Sequence, residues 1–579
     1  MKNFDLPAVQ EGPLPISGLQ LVWVVLLSGA VFCYAHLPAF INPYVINDDV
    51  KQQIYWMQQW LDPALFRHDL LTEYARYYVP VGVKALYWMA SWVMGPIVFS
   101  KVLPGFLFVL LGFCLFQIGA ILGDKVLAWT TLGIYWLTPL FLDNLAGGLA
   151  RGFAAPLLAL LLLAWLDRRP GLIAFALLLQ ALFVPYMFLL GAAAVTLAWL
   201  GGRIGSFALP PFPARPADFL ILAVGAVLVA GMNFNYLDAG FGPLVSAADM
   251  SHRPEFGPDG RYAILPVASL LWEFIRPWEF IAPFRHGSTL AGVTVCVVVV
   301  PLALIGMWRV DWRALKDRLR PFWWVGLASV LLYFLARIFL LKLFIPDRYV
   351  NYTISLFYCL ALALCLKAVL KIGQWPRKLA LLAVVLAALI GAGHLYGVGL
   401  KDYSAYQPLY AALAATPKDA LIAGQPNLMD EISTFAQRRA LVTYKLAHPW
   451  SKGYWQKIEP RLHDLFKAYY ASDPQEVVAF CRKYGVSFMI VDDRHFTPDF
   501  LKGGFFLFPY VKRHLPGTNP GMAERNLCPF FAPFDQQIRR LTAGRQHFAL
   551  LSDNTFHPQV IDQHLRLIDM RPWLAAVRP

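Results

Sequence analysis

A pair of adjacent carboxylates, Asp48 and Asp49, follows directly after the first long apolar stretch of the chain. A carboxylate near apolar surroundings can have its pKa raised and then act as a general base. A helix beginning here would place Asp48, Gln52 and Trp56 on one face. The alternative is structural, because Asn47 followed by two acids is also an ordinary helix start, with a capping side chain and a favourable helix dipole.

Two further clusters combine a carboxylate with an arginine. Asp143 precedes Arg151, which begins an apolar stretch, and the run Asp347-Arg348-Tyr349 lies between two such stretches. Arginine suits a phosphate because its planar fork donates two hydrogen bonds at once. Arg348 and Arg151 are therefore candidate ligands of a lipid phosphate. The structural alternatives are an Asp143–Arg151 ion pair at a helix end and an arginine that reaches the membrane interface beside a tyrosine.

An aromatic-rich stretch after the acidic pair supplies further candidates for a substrate cleft. They are His68, Asp69 and Glu73, which lie between Arg67 and Arg76. A charged loop lying on lipid headgroups would have the same composition. The P-loop, HExxH, GxSxG and strand-linked GxGxxG signatures are missing from the sequence, which argues against the common nucleotide-binding, metalloprotease and serine-hydrolase classes.

The composition indicates that these residues are positioned by membrane-spanning helices. Hydrophobic residues make up 58% of the 579 residues and charged residues only 15%, against about 25% in a typical soluble protein. This excludes a disordered, collagenous or coiled-coil chain. The net charge of +14 is expected to lie in cytoplasmic loops rather than in a nucleic-acid site. The seven cysteines have no metal-binding spacing.

The apolar stretches predict about eleven spans, each needing roughly 20 apolar residues. They lie near 19–39, 97–121, 126–142, 148–166, 171–184, 186–200, 217–236, 289–308, 322–345, 350–370 and 378–399. If the first span runs outward, the lysines and arginines between spans fall on the cytoplasmic side. The acidic pair, the segment 238–285 and the tail after Lys401 then lie outside. One missed span in 171–200 would invert the tail.

This topology divides the chain into three parts. Residues 1–18 form a cytoplasmic tail, 19–400 a helical bundle with a large first outer loop at 43–96, and 401–579 a soluble extracytoplasmic α/β domain. In the last part, apolar runs predict strands at 420–423, 440–443 and 487–491, and helices at 428–437, 456–470 and 474–484. Alternating strands and helices favour a mainly parallel sheet. Cys481 and Cys528 lie in this domain, and the sequence does not fix whether they pair.

One apolar span followed at once by an outer acidic pair, a long aromatic first loop, many further spans and an α/β tail resembles the GT-C superfamily. These are integral-membrane glycosyltransferases, including protein O-mannosyltransferases, the lipid A aminoarabinose transferase and the catalytic subunit of oligosaccharyltransferase. The resemblance implies an inverting transferase of the bacterial inner membrane that uses a polyprenyl-phosphate sugar. It implies that Asp48 or Asp49 deprotonates or orients an acceptor hydroxyl, while Arg348 and Arg151 stabilise the leaving phosphate.

This sequence departs from the family pattern in three places. The acidic pair is Asp-Asp where mannosyltransferases have Asp-Glu, and Asp143 stands alone where oligosaccharyltransferase has DxD. The tail reads Ala-Gly-Gln-Pro-Asn at 423–427 in place of WWDYG. N-glycosylation of protein is therefore not expected, and a divalent metal, if one takes part, would have Asp49 and Asp143 as ligands.

The acceptor is left open between a lipid, a glycan and a protein. A non-catalytic component of polysaccharide assembly and a transporter or flippase of lipid-linked glycan are the rival functions. A transporter would favour paired halves with matching broken helices, which the sequence does not display.

Overall fold

A computed structural model describes residues 17–204, 212–213, 216–238, 240–256, 300–339, 342–371, 378, 393, 395–498, 501, 532–545 and 547–575. It confirms the expected fold class, a helical membrane bundle with a C-terminal α/β part. The predicted cytoplasmic tail, most of the segment 238–285, most of the spans at 289–308 and 378–399, and Cys528 lie outside the described residues.

The chain is a multi-pass membrane protein. Five described helices are long and apolar enough to cross a bilayer: Gly18–Ile41, Pro96–Leu122, Pro185–Arg203, Arg320–Ile338 and Asp347–Leu370. A sixth span is formed if Lys125–Trp136 and Pro139–Leu145, which meet at 65°, cross together. Shorter apolar helices cover Ala150–Leu166, Pro170–Phe183, Ala217–Gly231 and Val300–Arg309. The total of about eleven spans stays a prediction.

Proline and capping residues set the ends of these helices. Ser17 and Gln20 form a capping box at the first helix, and Pro96 and Pro170 each occupy a first helical turn. The stretches predicted at 171–184 and 186–200 are two separate helices, because one ends at Phe183 and the next begins at Pro185.

The first outer loop is built from strand β1 (Val45–Ile46) and short helical segments. The segments are Val50–Gln53, the 3₁₀ turn Tyr55–Trp60, Leu70–Tyr78 and Val81–Ala90. The single helix predicted from Asp48 through Trp56 is wrong, because it is interrupted at Ile54. The consecutive side chains of Tyr55, Trp56 and Met57 are all buried, which one face of a regular α-helix does not allow.

The C-terminal part contains a five-stranded sheet. The strands are β3 (Leu421–Ala423), β4 (Arg439–Ala440), β5 (Phe488–Asp492), β6 (Gln559–Val560) and β7 (Leu565–Asp569). They are arranged in the order β4-β3-β5-β7-β6. The three strands that the sequence predicted are parallel, whereas β7 pairs antiparallel with both β5 and β6. The prediction of a mainly parallel sheet is therefore correct for two of the four pairings.

Helices surround this sheet. Their apolar faces pack on the buried strands; Leu462 and Phe466, for example, lie on one face of a long amphipathic helix. The helices are Gln407–Ala414, Pro426–Met429, Ile432–Phe435, Lys452–Tyr469, Pro474–Tyr484, Ala532–Thr542, Asp553–Phe556 and Arg571–Ala575.

A small antiparallel ladder joins the first outer loop to the C-terminal part. Strand β1 pairs with strand β2 (Lys401–Asp402), with Val45 opposite Asp402 and Ile46 opposite Lys401. The start of the first loop and the start of the C-terminal part therefore lie at the same end of the bundle. The ladder also brings Lys401 next to the acidic pair that follows β1.

Candidate active site

Asn47 fixes the turn that carries the acidic pair. Its amide nitrogen donates to the carbonyl of Gly399 at 2.7 Å, and its side-chain oxygen accepts from the backbone N–H of Asp49 at 3.1 Å. Gly147, at φ +87°, packs so closely that a Cβ there would lie 2.8 Å from Asn47 Cβ. Asn47 therefore fixes the turn before the helix Val50–Gln53, but the capping role expected for it is wrong, because the N-cap of that helix is Asp49.

Asp48 is surrounded by cations and a phenol. Its carboxylate accepts from the hydroxyl of Tyr403 at 2.7 Å and lies 3.2 Å from the ammonium groups of both Lys51 and Lys401. Lys445 of the C-terminal part forms a further ion pair with it. Burial alone would raise the pKa of Asp48, but Lys401, Lys445 and Lys51 outweigh it and hold the pKa well below its ordinary value.

Asp49 faces Arg151, which lies in the turn before the apolar helix Ala154–Leu166. It forms an ion pair with Arg151, and one of its oxygens lies 3.0 Å from the ammonium of Lys445. Burial would raise the pKa of Asp49, yet Lys445 and Arg151 lower it below its ordinary value. The expectation of a raised pKa is wrong for both acids, since cations from distant parts of the chain converge on them. Both are carboxylates at neutral pH.

A second layer of buried acids from the C-terminal part holds these lysines. Glu431 lies 2.5 Å from the ammonium of Lys51, which also lies 4.3 Å above the ring of Tyr403. Asp430 accepts the backbone N–H of Lys445 at 2.8 Å. Burial, together with the charge of Glu431, raises the pKa of Asp430 to about 7 although Lys51 and Lys445 oppose the shift.

Sequence reasoning did not single out the residues of this layer. Lys51 was visible beside the acidic pair, but its partner Glu431 is 380 residues away. Lys401, Lys445 and Asp430 lie in unremarkable local contexts, and neither periodicity nor spacing connects them with Asp48. The one signal available in the sequence was the adjacent acidic pair Asp430-Glu431, which follows the Gln-Pro-Asn stretch at 425–427.

Asp143 and Arg348 approach the cluster from the membrane bundle. Asp143 lies on the helix Pro139–Leu145 against Gly399, where an added Cβ would lie 3.1 Å from Asp143 Oδ1. Arg348 begins a membrane helix and donates to the hydroxyl of Tyr352 at 3.2 Å. Asp143 interacts electrostatically with both Arg151 and Arg348. The three clusters that the sequence predicted therefore meet in one place.

Acidic and basic side chains face each other throughout this site. The carboxyl groups are those of Asp48, Asp49, Asp143, Asp430 and Glu431, and the basic groups are those of Lys51, Lys401, Lys445, Arg151 and Arg348. Arg348 also interacts electrostatically with Asp347. The two arginines are the groups of this site that suit an anionic ligand such as a phosphate.

Other residues predicted for the cleft lie around the first loop. Trp56 is only 2% exposed and lies 5.5 Å beneath the guanidinium of Arg76. Gln52 is half-buried, and its backbone carbonyl accepts from the hydroxyl of Tyr78 at 3.3 Å. Their part in binding a substrate stays a prediction.

The remaining candidates have structural partners or face outward. Asp69 is buried and caps the helix Leu70–Tyr78, while His68 and Glu73 are exposed. Asp347 accepts from Asn351 at 3.3 Å. Tyr349 is buried and donates to the carbonyl of Leu343 at 2.5 Å. A role for any of them in a substrate cleft stays a prediction.

The donor set fits a divalent metal poorly. Both oxygens of Asp49 are taken by the cations Arg151 and Lys445, and Asp143, which lies near Asp49, also interacts with Arg151. Within the described part of the chain, no group of three or more His, Cys, Asp or Glu side chains is arranged to hold a metal ion. Hard divalent cations need several oxygen ligands without competing ammonium groups.

The fold is similar to that of a solved membrane glycosyltransferase. Archaeal oligosaccharyltransferase AglB from Archaeoglobus fulgidus, in complex with an inhibitory peptide and a dolichol-phosphate, superposes with a TM-score of 0.51 at 14% identity, covering 83% of this chain and 70% of that chain. ArnT from Cupriavidus metallidurans in the apo state gives 0.46 at 12% identity, with 97% and 99% covered. No family model and no curated protein sequence matches the chain.

Proposed function

We propose that this protein is a membrane glycosyltransferase that transfers a sugar from a polyprenyl-phosphate-linked donor to a lipid, glycan or protein acceptor. The observation that carries the proposal is the convergence of Asp49, Arg151 and Arg348 at one end of a bundle with the GT-C fold. An ionised carboxylate and an arginine at a membrane boundary are the groups that an acceptor hydroxyl and a lipid phosphate require.

Asp49 is the carboxylate we assign to the acceptor. It lies on the side of Arg151 and Asp143, whereas Asp48 is enclosed by Lys51, Lys401 and Tyr403. A carboxylate held by two cations is a weak nucleophile, which favours orientation of an acceptor hydroxyl over attack on the sugar by the carboxylate itself. Asp48 then serves to hold the lysines.

The reaction is a single displacement with inversion. The acceptor oxygen forms a bond to the anomeric carbon while the bond from that carbon to the phosphate oxygen breaks. The electron pair leaves with the phosphate, and the hydroxyl proton passes by way of Asp49 to solvent. Arg348, which donates to the hydroxyl of Tyr352, stabilises the charge that develops on the phosphate.

The active end of the bundle is proposed to face the outside of a bacterial inner membrane. The first loop and the C-terminal part are joined by the β1–β2 ladder, which agrees with an even number of spans between them and so with an odd total. Lysines and arginines between the predicted spans then lie inside. On this topology residues 19–400 form the bundle and 401–579 an extracytoplasmic domain.

The proposal is tested by purifying the protein in detergent and supplying polyprenyl-phosphate sugars with a membrane-lipid extract as acceptor. Release of polyprenyl-phosphate that needs Asp49 supports the transferase. If lipid-linked glycan instead crosses the bilayer of reconstituted vesicles with its covalent structure unchanged, the protein is a transporter. If neither occurs with a complete acceptor panel, the protein is instead a non-catalytic component of polysaccharide assembly.

A further inference from the structure

The ammonium group of Lys445 lies between the two carboxylates of the acidic pair. It forms an ion pair with Asp48 Oδ2 and lies 3.0 Å from Asp49 Oδ1. A divalent cation that joins two adjacent carboxylates would take this bridging position. Lys445 comes from the C-terminal part, 396 residues after Asp49.

The position of Lys445 is set by its own surroundings and not only by the acids it bridges. Its backbone N–H donates to the buried carboxyl of Asp430, and its side chain is only 16% exposed. The neighbouring backbone N–H of Tyr444 donates to the carbonyl of Pro426 at 3.1 Å. The C-terminal part therefore presents the lysine from a fixed backbone, as a built component of the site.

The charges around the acidic pair support the same interpretation. Asp48 faces the ammonium groups of Lys51, Lys401 and Lys445, and Asp49 faces Lys445 and Arg151. A divalent cation added to the intact cluster would be repelled by these cations at short range. The lysine and the metal are thus alternatives for one position.

We propose that Lys445 occupies the place of a divalent metal, so that the acidic pair works without a metal ion and is complete only when the C-terminal part is docked. The proposal rests on the proposed transferase function. Lys445 is a positioning residue, because it acts through Asp49: it holds that carboxylate ionised and oriented toward the acceptor. The C-terminal part is therefore a component of the active site and not an accessory domain.

The test compares wild type with Lys445→Ala after treatment with EDTA. Wild-type turnover is expected to be unchanged by EDTA, and Lys445→Ala is expected to lose on the order of 10–100-fold, as when a residue that orients a catalytic ligand is removed. Added ethylammonium, or Mn²⁺ at millimolar concentration, is expected to restore turnover in Lys445→Ala alone. A merely structural lysine would not give this rescue.

Lys418→Ala is the matched control. Lys418 also joins the C-terminal part to the first loop, through an ion pair of 2.5 Å with Asp62, but it is half exposed and does not contact the acidic pair. It is expected to keep full turnover and to show no rescue. Lys445→Gln, which retains a donor without the charge, replaces the alanine variant if that variant does not fold.

A second measurement does not depend on turnover. Mn²⁺ titration followed by electron paramagnetic resonance is expected to show a bound ion in Lys445→Ala and none in wild type or in the variant that also carries Asp49→Asn. Wild-type protein that binds Mn²⁺ at a site lost in Asp49→Asn would overturn the proposal, as would a Lys445→Ala variant that binds none. If no variant transfers sugar, the proposed function fails, and this titration still decides the role of Lys445.

Discussion

Replacing Lys51 by methionine should weaken the attachment of the C-terminal part to the first outer loop. The Lys51 and Glu431 side chains are only 3% and 8% exposed, and their charged atoms lie 2.5 Å apart. Methionine keeps most of the length of the lysine and removes its charge. Glu431 is then left buried without its main cation. Breaking a buried pair in this way costs about 3–5 kcal/mol, because the remaining charge is uncompensated.

The measurement is thermal unfolding in detergent, followed by tryptophan fluorescence, with limited proteolysis of the C-terminal part as a second probe. For a domain of about 150–250 residues, such as the C-terminal part, each kcal/mol of lost stability lowers Tm by about 2–4 °C. Tm should therefore fall by on the order of 10 °C. The double variant Lys51→Met/Glu431→Gln removes both charges and should recover most of this loss. The reasoning is refuted if the single variant melts with wild type, or if the double variant is no more stable than the single.

Three further predictions concern the same site. The pKa of Asp430 in the folded state, about 7, lies above its ordinary value, so the native state keeps a proton at pH values where the unfolded state has lost it. The protonated Asp430 carboxyl therefore contributes fully to stability below about pH 4. This contribution is lost as pH rises through 7, by up to about 1.4 kcal/mol per pH unit. Asp430→Asn should remove this slope in Tm between pH 5 and 8, and an unchanged slope would assign it to another group. Arg348→Met should raise the KM for the lipid-linked donor and lower kcat by about 10-fold or more with an unchanged melt; an effect on acceptor KM alone would speak against phosphate binding. Gly399→Ala should lower Tm, because φ is +71° and the new Cβ would lie 2.6 Å from Ala146 Cβ; a Tm equal to that of wild type would contradict this contact.

How much the sequence predicts depends on the range of the interaction. The apolar runs give the membrane helices, and the strands at 421–423 and 488–492 follow from short apolar runs bounded by turns. The antiparallel hairpin of β6 and β7 was missed because β6 has only two residues, both exposed, and Arg566 interrupts the apolar residues of β7. The acidic pair was found because its position after a span is a local feature.

The state of that pair was not predictable from its neighbours. The neighbouring sequence predicted an apolar setting and a raised pKa. Lys401 and Lys445, which are distant from Asp48 in the sequence, lie beside it in the fold and lower its pKa instead. Likewise, Trp56 was expected to share a helix face with Asp48, but the α-helix ends at Gln53 and Trp56 lies in the 3₁₀ turn Tyr55–Trp60, buried against the rest of the protein. Both outcomes depend on tertiary packing.

The most direct test of the account compares wild type, Asp48→Asn and Asp49→Asn in the polyprenyl-phosphate release assay, with the melt of each protein as the folding control. The account predicts that Asp49→Asn loses turnover by on the order of 10²-fold or more while its Tm stays within a few degrees of wild type. Release at the wild-type rate from a folded Asp49→Asn protein would contradict the central claim that this carboxylate activates the acceptor.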